Sequence, residues 1–170
     1  MVQTKIYKIG PGTQKDAFET MIHKTAEALL NGKTAAFPTE TVYGIGASIF
    51  NENAVLKIYQ IKGRPPDKPL SVLIGSAKDM DKAASEIPDF ARLLAEKFWP
   101  GPLTMILRKK EEISDKVTAG KGTVGLRVPA PRAAGIGAAD GAAGLSERQP
   151  VRRRRAEIRR RCSKRPERKN

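Results

Sequence analysis

A chain of 170 residues can bury one sizeable core and is too short for two ordinary domains. Its net charge of +14 is uneven: residues 1–130 carry 19 basic against 14 acidic side chains, and residues 131–170 carry 13 against 4. The lone cysteine, Cys162, cannot form an internal disulfide, which argues against a disulfide-stapled secreted scaffold. The opening residues lack the apolar core of a signal peptide, and no stretch reaches membrane-spanning length, so a soluble cytoplasmic protein without membrane contact is expected.

In chain order, the Gly-Pro-Gly-Thr sequence ending at Thr13 reads as a turn, and Thr13 with Asp16 resembles a capping box. Phe18, Met21, Ile22, Ala26, Leu29 and Leu30 then recur at helical spacing, with Gly32 as terminator. Residues 34–37 read as a buried strand ending at Pro38, and residues 52–61 as a second helix with Ala54, Leu56, Ile58 and Tyr59 as apolar contacts. Pro65, Pro66 and Pro69 force an extended loop. A strand over 70–74, a short helix over 78–84, a helix over 88–98 opened by Pro88, and strands over 103–107 and 124–128 follow. Alternating strands and helices predict an α/β sheet covered by helices. Beyond Ala130 the texture changes. Residues 131–144 are nearly all Ala and Gly, and Arg152 to Arg155 and Arg159 to Arg161 are bare charge runs, so residues 131–170 are expected to be a disordered tail.

Three segments place stiff backbone beside polar or cationic groups. The first runs from Pro38 to Gly46 as Pro-Thr-Glu-Thr-Val-Tyr-Gly-Ile-Gly and is read as a loop, its glycines allowing close approach and Thr39 and Thr41 offering hydroxyls. The second, from Lys62 to Leu70, holds Lys62, Arg64 and Lys68 among three prolines. In extended chain Lys62 and Arg64 would project to one side, and three cations on a rigid loop suit a polyphosphate. The third joins Phe98-Trp-Pro-Gly-Pro-Leu-Thr104 to Gly125-Leu-Arg-Val-Pro129. Trp99 is expected to pack. Arg127, inside an apolar strand, needs an anionic partner, either a carboxylate or a substrate phosphate. His23, the only histidine, reads as a surface residue.

Taken together and in this order, these motifs, with Thr123-Val-Gly-Leu-Arg-Val-Pro-Ala130, resemble the YrdC-like family of threonylcarbamoyl-AMP synthases over roughly residues 5–130. The resemblance implies a twisted mixed α/β sheet flanked by helices, with a basic concave cleft. It implies an ATP-dependent nucleotidyltransferase that joins L-threonine, bicarbonate and ATP into threonylcarbamoyl-AMP and pyrophosphate. Partner proteins then move the threonylcarbamoyl group to a tRNA adenosine beside the anticodon. By position, Lys62 and Arg64 would be catalytic and hold the ATP phosphates together with Lys68 and Arg127. Thr39, Tyr43, Thr104 and Thr123 would line the threonine and adenylate pocket. No protein metal ligand is implied, and Mg²⁺ would accompany ATP.

The chain departs from the family after Ala130, where a helix and a Pro-Ser-Ala-Asn-x-Ser-Gly loop closing the ATP side would follow. A reading-frame slip accounts for this. Codons for Ser146-Glu-Arg-Gln-Pro-Val-Arg152 can be chosen so that reading one base later encodes Pro-Ser-Ala-Asn-Leu-Ser. On that reading the synthase domain is incomplete, its last part missing or disordered, and the chain inactive or nearly so. The alternative is a basic RNA-binding protein without catalysis, since seven arginines in two runs bind phosphate backbones without sequence choice.

Overall fold

The computed structural model describes residues 4–8, 12–39, 43–129 and 143–147. Helix α1 spans Lys15–Leu30 and strands β1 and β2 span Ala35–Pro38 and Tyr43–Ser48. Helix α2 (Glu52–Lys62), strand β3 (Ser71–Leu73), a 3₁₀ helix (Ala77–Lys82) and helix α3 (Asp89–Phe98) follow. Strand β4 (Met105–Arg108), a single-turn helix α4 (Asp115–Thr118), β5 (Thr123–Arg127) and β6 (Ala143–Glu147) complete the described elements. None of the described helices is long and apolar enough to cross a membrane.

The six strands form one mixed sheet in the order β1-β2-β6-β3-β5-β4. Among the described strands β3 and β5 run parallel, and every other pair is antiparallel. Side chains alternate across the pleat. Val72, Met105, Leu107, Val124 and Leu126 therefore share one face, where they pack with Val55 and Ile58 of α2, Ala91 and Ala95 of α3, Met80 and Val117. On the opposite face, among the described residues, cover comes where Leu29 of α1 meets Phe37 and Leu73.

Local chemistry explains the helix ends. The Asn51 carboxamide accepts the Ala54 N–H at 3.0 Å and caps α2. Gly32, at φ +70°, follows α1, and a Cβ there would lie 2.6 Å from Asn51 Nδ2, so the end of α1 rests on the cap of α2. Ser114, the cap of α4, bonds the Glu52 carboxylate and ties α4 to α2.

The sequence expectations need four corrections. Helix α1 begins at Lys15, so its cap position falls on Gln14, one residue past Thr13, and Gln14 makes no side-chain capping bond. Pro88 stands outside α3 as its cap rather than in its first turn. The segment from Pro38 to Gly46 is a hairpin, because Tyr43–Ser48 pairs with β1 as β2, with Gly44 opposite Phe37 and Gly46 opposite Ala35. Finally, residues 143–147, expected to be disordered tail, form β6 between β2 and β3. A five-residue segment without apolar alternation becomes a strand when both its neighbours offer unpaired backbone. The rest of the expected tail, with Cys162, the arginine runs and most of the proposed frame slip, lies outside the described residues.

Candidate functional site

The cationic loop starts where α2 ends. Lys62 is its last residue, and Gly63 turns into the left-handed region (φ 55°, ψ 35°), which costs a glycine no steric strain. The Gly63 and Arg64 N–H groups then donate to Gln60 O at 3.2 Å and Tyr59 O at 3.0 Å. Lys62 and Arg64 therefore flank a helix terminus and do not project from extended chain. That corrects the geometric ground on which they were paired.

Arg64 folds back onto its own loop, with Nε donating to Lys68 O at 3.1 Å and Nη2 to Pro69 O at 2.8 Å. The Tyr59 hydroxyl lies 3.0 Å from the same Lys68 carbonyl and 3.1 Å from Lys116 O. Lys68 N–H donates to Pro65 O at 3.2 Å, and Leu70 N–H to Val117 O at 2.9 Å. The loop is thus held by side-chain donors as well as by its prolines. Lys68 itself is exposed, while Lys62 and Arg64 are half-buried. Burial raises the Tyr59 phenol above its ordinary range, against a lowering by the nearby Arg64 charge, so the hydroxyl keeps its proton and remains a donor at neutral pH.

Leu70 hands the chain directly to β3, whose first residue, Ser71, lies on the open face of the sheet. Register places Ser71 opposite Gly125, Gly125 opposite Ile106, and Thr123 opposite Arg108. A Cβ on Gly125 would approach Ile106 Cδ1 and Thr104 Cγ2 at 3.3 Å each and Ser71 Oγ at 3.8 Å. These three side chains therefore rim a floor with no side chain of its own. Ile106 is 66% exposed, Thr104 and Ser71 are half-buried, and Thr123 is exposed. At the far end Arg127 is 5% exposed, and its Nε donates to Gly101 O at 3.2 Å. Gly101 N–H in turn donates to Val128 O at 2.9 Å. A Cβ on Gly101 would sit 2.5 Å from Phe98 O, which is why the turn between two prolines carries glycine. Trp99 packs in the core as expected, its indole N–H donating to Leu103 O at 2.7 Å.

Thr39 and Tyr43 bracket the β1–β2 turn. Thr39 is half-buried and Tyr43 is 65% exposed, while Glu40, Thr41 and Val42 lie outside the described residues. The site residues thus fall into three groups: Lys62, Arg64 and Lys68 on one loop; Thr104, Thr123 and Arg127 on one sheet face; Thr39 and Tyr43 at the hairpin. The first two adjoin through β3, and β6 separates β3 from the hairpin in strand order. Sequence reasoning missed Tyr59, Ser71 and Ile106. Tyr59 carried a signal, since a tyrosine in a helix's apolar stripe needs a partner for its hydroxyl.

A cavity of about 520 Å³ lies elsewhere, lined by Glu86, Arg108, Lys109 and Glu112 among others. Two of its cations are paired locally, Arg108 with Glu86 at 2.9 Å and Lys109 with Asp115 at 3.1 Å. The Arg108–Glu86 pair is exposed, and pairs of this kind mark a solvated surface. The open sheet face is the better candidate because hydroxyls, a glycine floor and the cationic loop adjoin there.

Residues 27–135 match the Sua5/YciO/YrdC family model, described as telomere recombination. The chain is 48% identical over 112 residues to the threonylcarbamoyl-AMP synthase of Pyrococcus abyssi, covering 66% of this chain and 33% of that protein. It is 40% identical over 129 residues to the synthase of Bacillus subtilis, covering 75% and 37%. Among solved structures, P. abyssi Sua5 complexed with L-threonine superposes with a TM-score of 0.71 at 42% identity, covering 75% of this chain and 38% of that one. The chain thus spans little more than a third of the length of these relatives.

Proposed function

Because the chain belongs to the Sua5/YciO/YrdC family, we propose that its domain is a threonylcarbamoyl-AMP synthase. The observation that carries this is the 48% identity over 112 residues to a relative of that name. L-threonine and bicarbonate combine, with loss of water, into a carbamate. A carbamate oxygen then attacks the α-phosphorus of ATP, the bond from that phosphorus to the β-phosphate oxygen breaks, and pyrophosphate leaves.

This chemistry asks the protein for charge neutralisation and alignment more than for a nucleophile. Lys62, Arg64 and Lys68 hold the phosphates, and Mg²⁺ enters with ATP as part of the substrate. Arg64 exchanges its carbonyl partners for phosphate oxygens, a favourable trade because charge-assisted bonds are the stronger kind. Thr39, Tyr43, Thr104 and Thr123 bind the threonine and adenylate groups by their hydroxyls. Arg127 anchors the end of the open face and adds positive potential there. The product passes to tRNA-modification partners that act on an adenosine beside the anticodon, which suits a cytoplasmic enzyme.

In this chain a frame slip near codon 130 has replaced the segment that would close the ATP side, so turnover is low or lost. The test is pyrophosphate release with ATP, bicarbonate and L-threonine, by this chain and by a version with the frame restored. Threonine-dependent release by the restored protein, with little by the chain itself, is the expected result. Absence of release from both sinks the synthase reading. Equal release sinks the slip as a lesion. ATP binding that collapses steeply with salt would favour the bare basic RNA binder instead.

A further inference from the structure

Three separate elements meet at one phenol. Tyr59 is 9% exposed within the main core, on the last turn but one of α2. Its hydroxyl reaches Lys68 O in the cationic loop at 3.0 Å and Lys116 O in α4 at 3.1 Å. Lys68 O also accepts from Arg64 Nε at 3.1 Å, so this carbonyl has the Arg64 N–H beside its share of the phenol's single proton, the other share going to Lys116 O. A carbonyl has two lone pairs and accommodates both.

This shared carbonyl matters for how Arg64 can move. For its guanidinium to engage an anion, Arg64 must release Lys68 O and Pro69 O. With Tyr59 still donating, Lys68 O remains satisfied after Arg64 leaves. Without the phenol, releasing Arg64 removes both side-chain donors of Lys68 O, at the cost of about one further ordinary hydrogen bond. The phenol also fixes the loop against α2 and α4 at the residue whose ammonium is exposed to solvent.

We propose that Tyr59 is a positioning residue, which holds the Lys68 carbonyl so that Arg64 is free to trade its loop contacts for the phosphates of a nucleotide. It rests on the synthase reading, and acts through Arg64 and Lys68 without touching the substrate.

Tyr59→Phe removes the hydroxyl and keeps the ring that packs in the core. Two measurements decide the matter. Amide hydrogen exchange without ligand reports the tether: Lys68 and Leu70, bonded to Pro65 O and Val117 O, should exchange about fivefold faster, the loss of one ordinary hydrogen bond. The Arg64 amide, bonded to Tyr59 O by backbone alone, serves as control and should not change. Equilibrium dialysis then reports function: ATP affinity should fall by about fivefold while L-threonine affinity stays the same. A merely destabilised domain would lose both ligands in proportion and would speed the Arg64 amide as well. Unchanged exchange at Lys68 and Leu70 overturns the tether, and faster exchange with unchanged ATP affinity overturns the positioning role. Dialysis is run on the chain and on its frame-restored version: if neither binds ATP, the synthase reading fails at its own baseline and the nucleotide role of Tyr59 falls with it, whereas faster exchange would still establish the tether.

Discussion

Strand β6 joins two halves of the sheet that share no other ladder among the described residues, and a proline in its centre measures what that junction is worth. Gly144 stands opposite Ala47 on one side and Val72 on the other. The strand makes five residue pairs with β2 and three with β3. An antiparallel ladder carries about one N–H···O bond per pair, so β6 contributes about eight bonds at roughly 1 kcal/mol net each. That total of about 8 kcal/mol lies within the roughly 5–15 kcal/mol that holds a whole domain together. Gly144→Pro removes one donor and leaves a buried acceptor without its partner, at about 1–3 kcal/mol. Its ring also crowds a flanking strand, which is why prolines avoid central positions. We expect a loss of about 3 kcal/mol, read in urea as a fall of about 2 M in the unfolding midpoint for a slope near 1.5 kcal/mol/M. Glu147→Pro, at the strand's end with only Gly44 opposite, should cost less than half as much. A Gly144→Pro midpoint within about 0.3 M of the original would refute a central β6, since that shift is only about 0.5 kcal/mol on the same slope.

Gly125→Val should lower L-threonine affinity by about tenfold with little change in melting temperature, because valine suits a strand but fills the floor between Thr104, Ile106 and Ser71. Unchanged affinity in a titration would remove the open face from consideration. Asp79 makes a pH prediction. Burial raises its carboxyl, but the hydrogen bonds from Lys82 and Ser76 and the Lys82 charge outweigh that and hold it below the usual range. A carboxyl lowered on folding stabilises above the unfolded value of about 3.9 and loses that contribution as pH falls through the folded value. Acid unfolding of Asp79→Asn should therefore be less steep below about pH 4 than that of the original chain. Identical acid limbs would show that the Asp79 contacts with Ser76 and Lys82 contribute nothing.

Several elements were determined by local sequence. The spacing of apolar residues in α1 and α2, the glycine that ends each of them, and the prolines that keep residues 65–69 out of any helix act over a few residues and are visible along the chain. The motifs that mark the family are local in the same sense, so the candidate residues could be named from sequence alone. Tertiary structure decided what short-range pattern cannot carry. Tyr43–Ser48 has two glycines and no clear alternation, yet it is a strand because β1 pairs with it and Phe37 stands opposite Gly44. Residues 143–147 become a strand only through backbone groups that β2 and β3 present on either side. Arg64 turned onto its own loop, Tyr59 tied that loop to α4, and Ser71, Thr104 and Ile106 came to rim the floor at Gly125 through contacts distant in sequence. Strand order and hydrogen-bond partnership depend on which segments meet in space, and propensity and periodicity, which describe only a residue's immediate neighbours, contain no record of that.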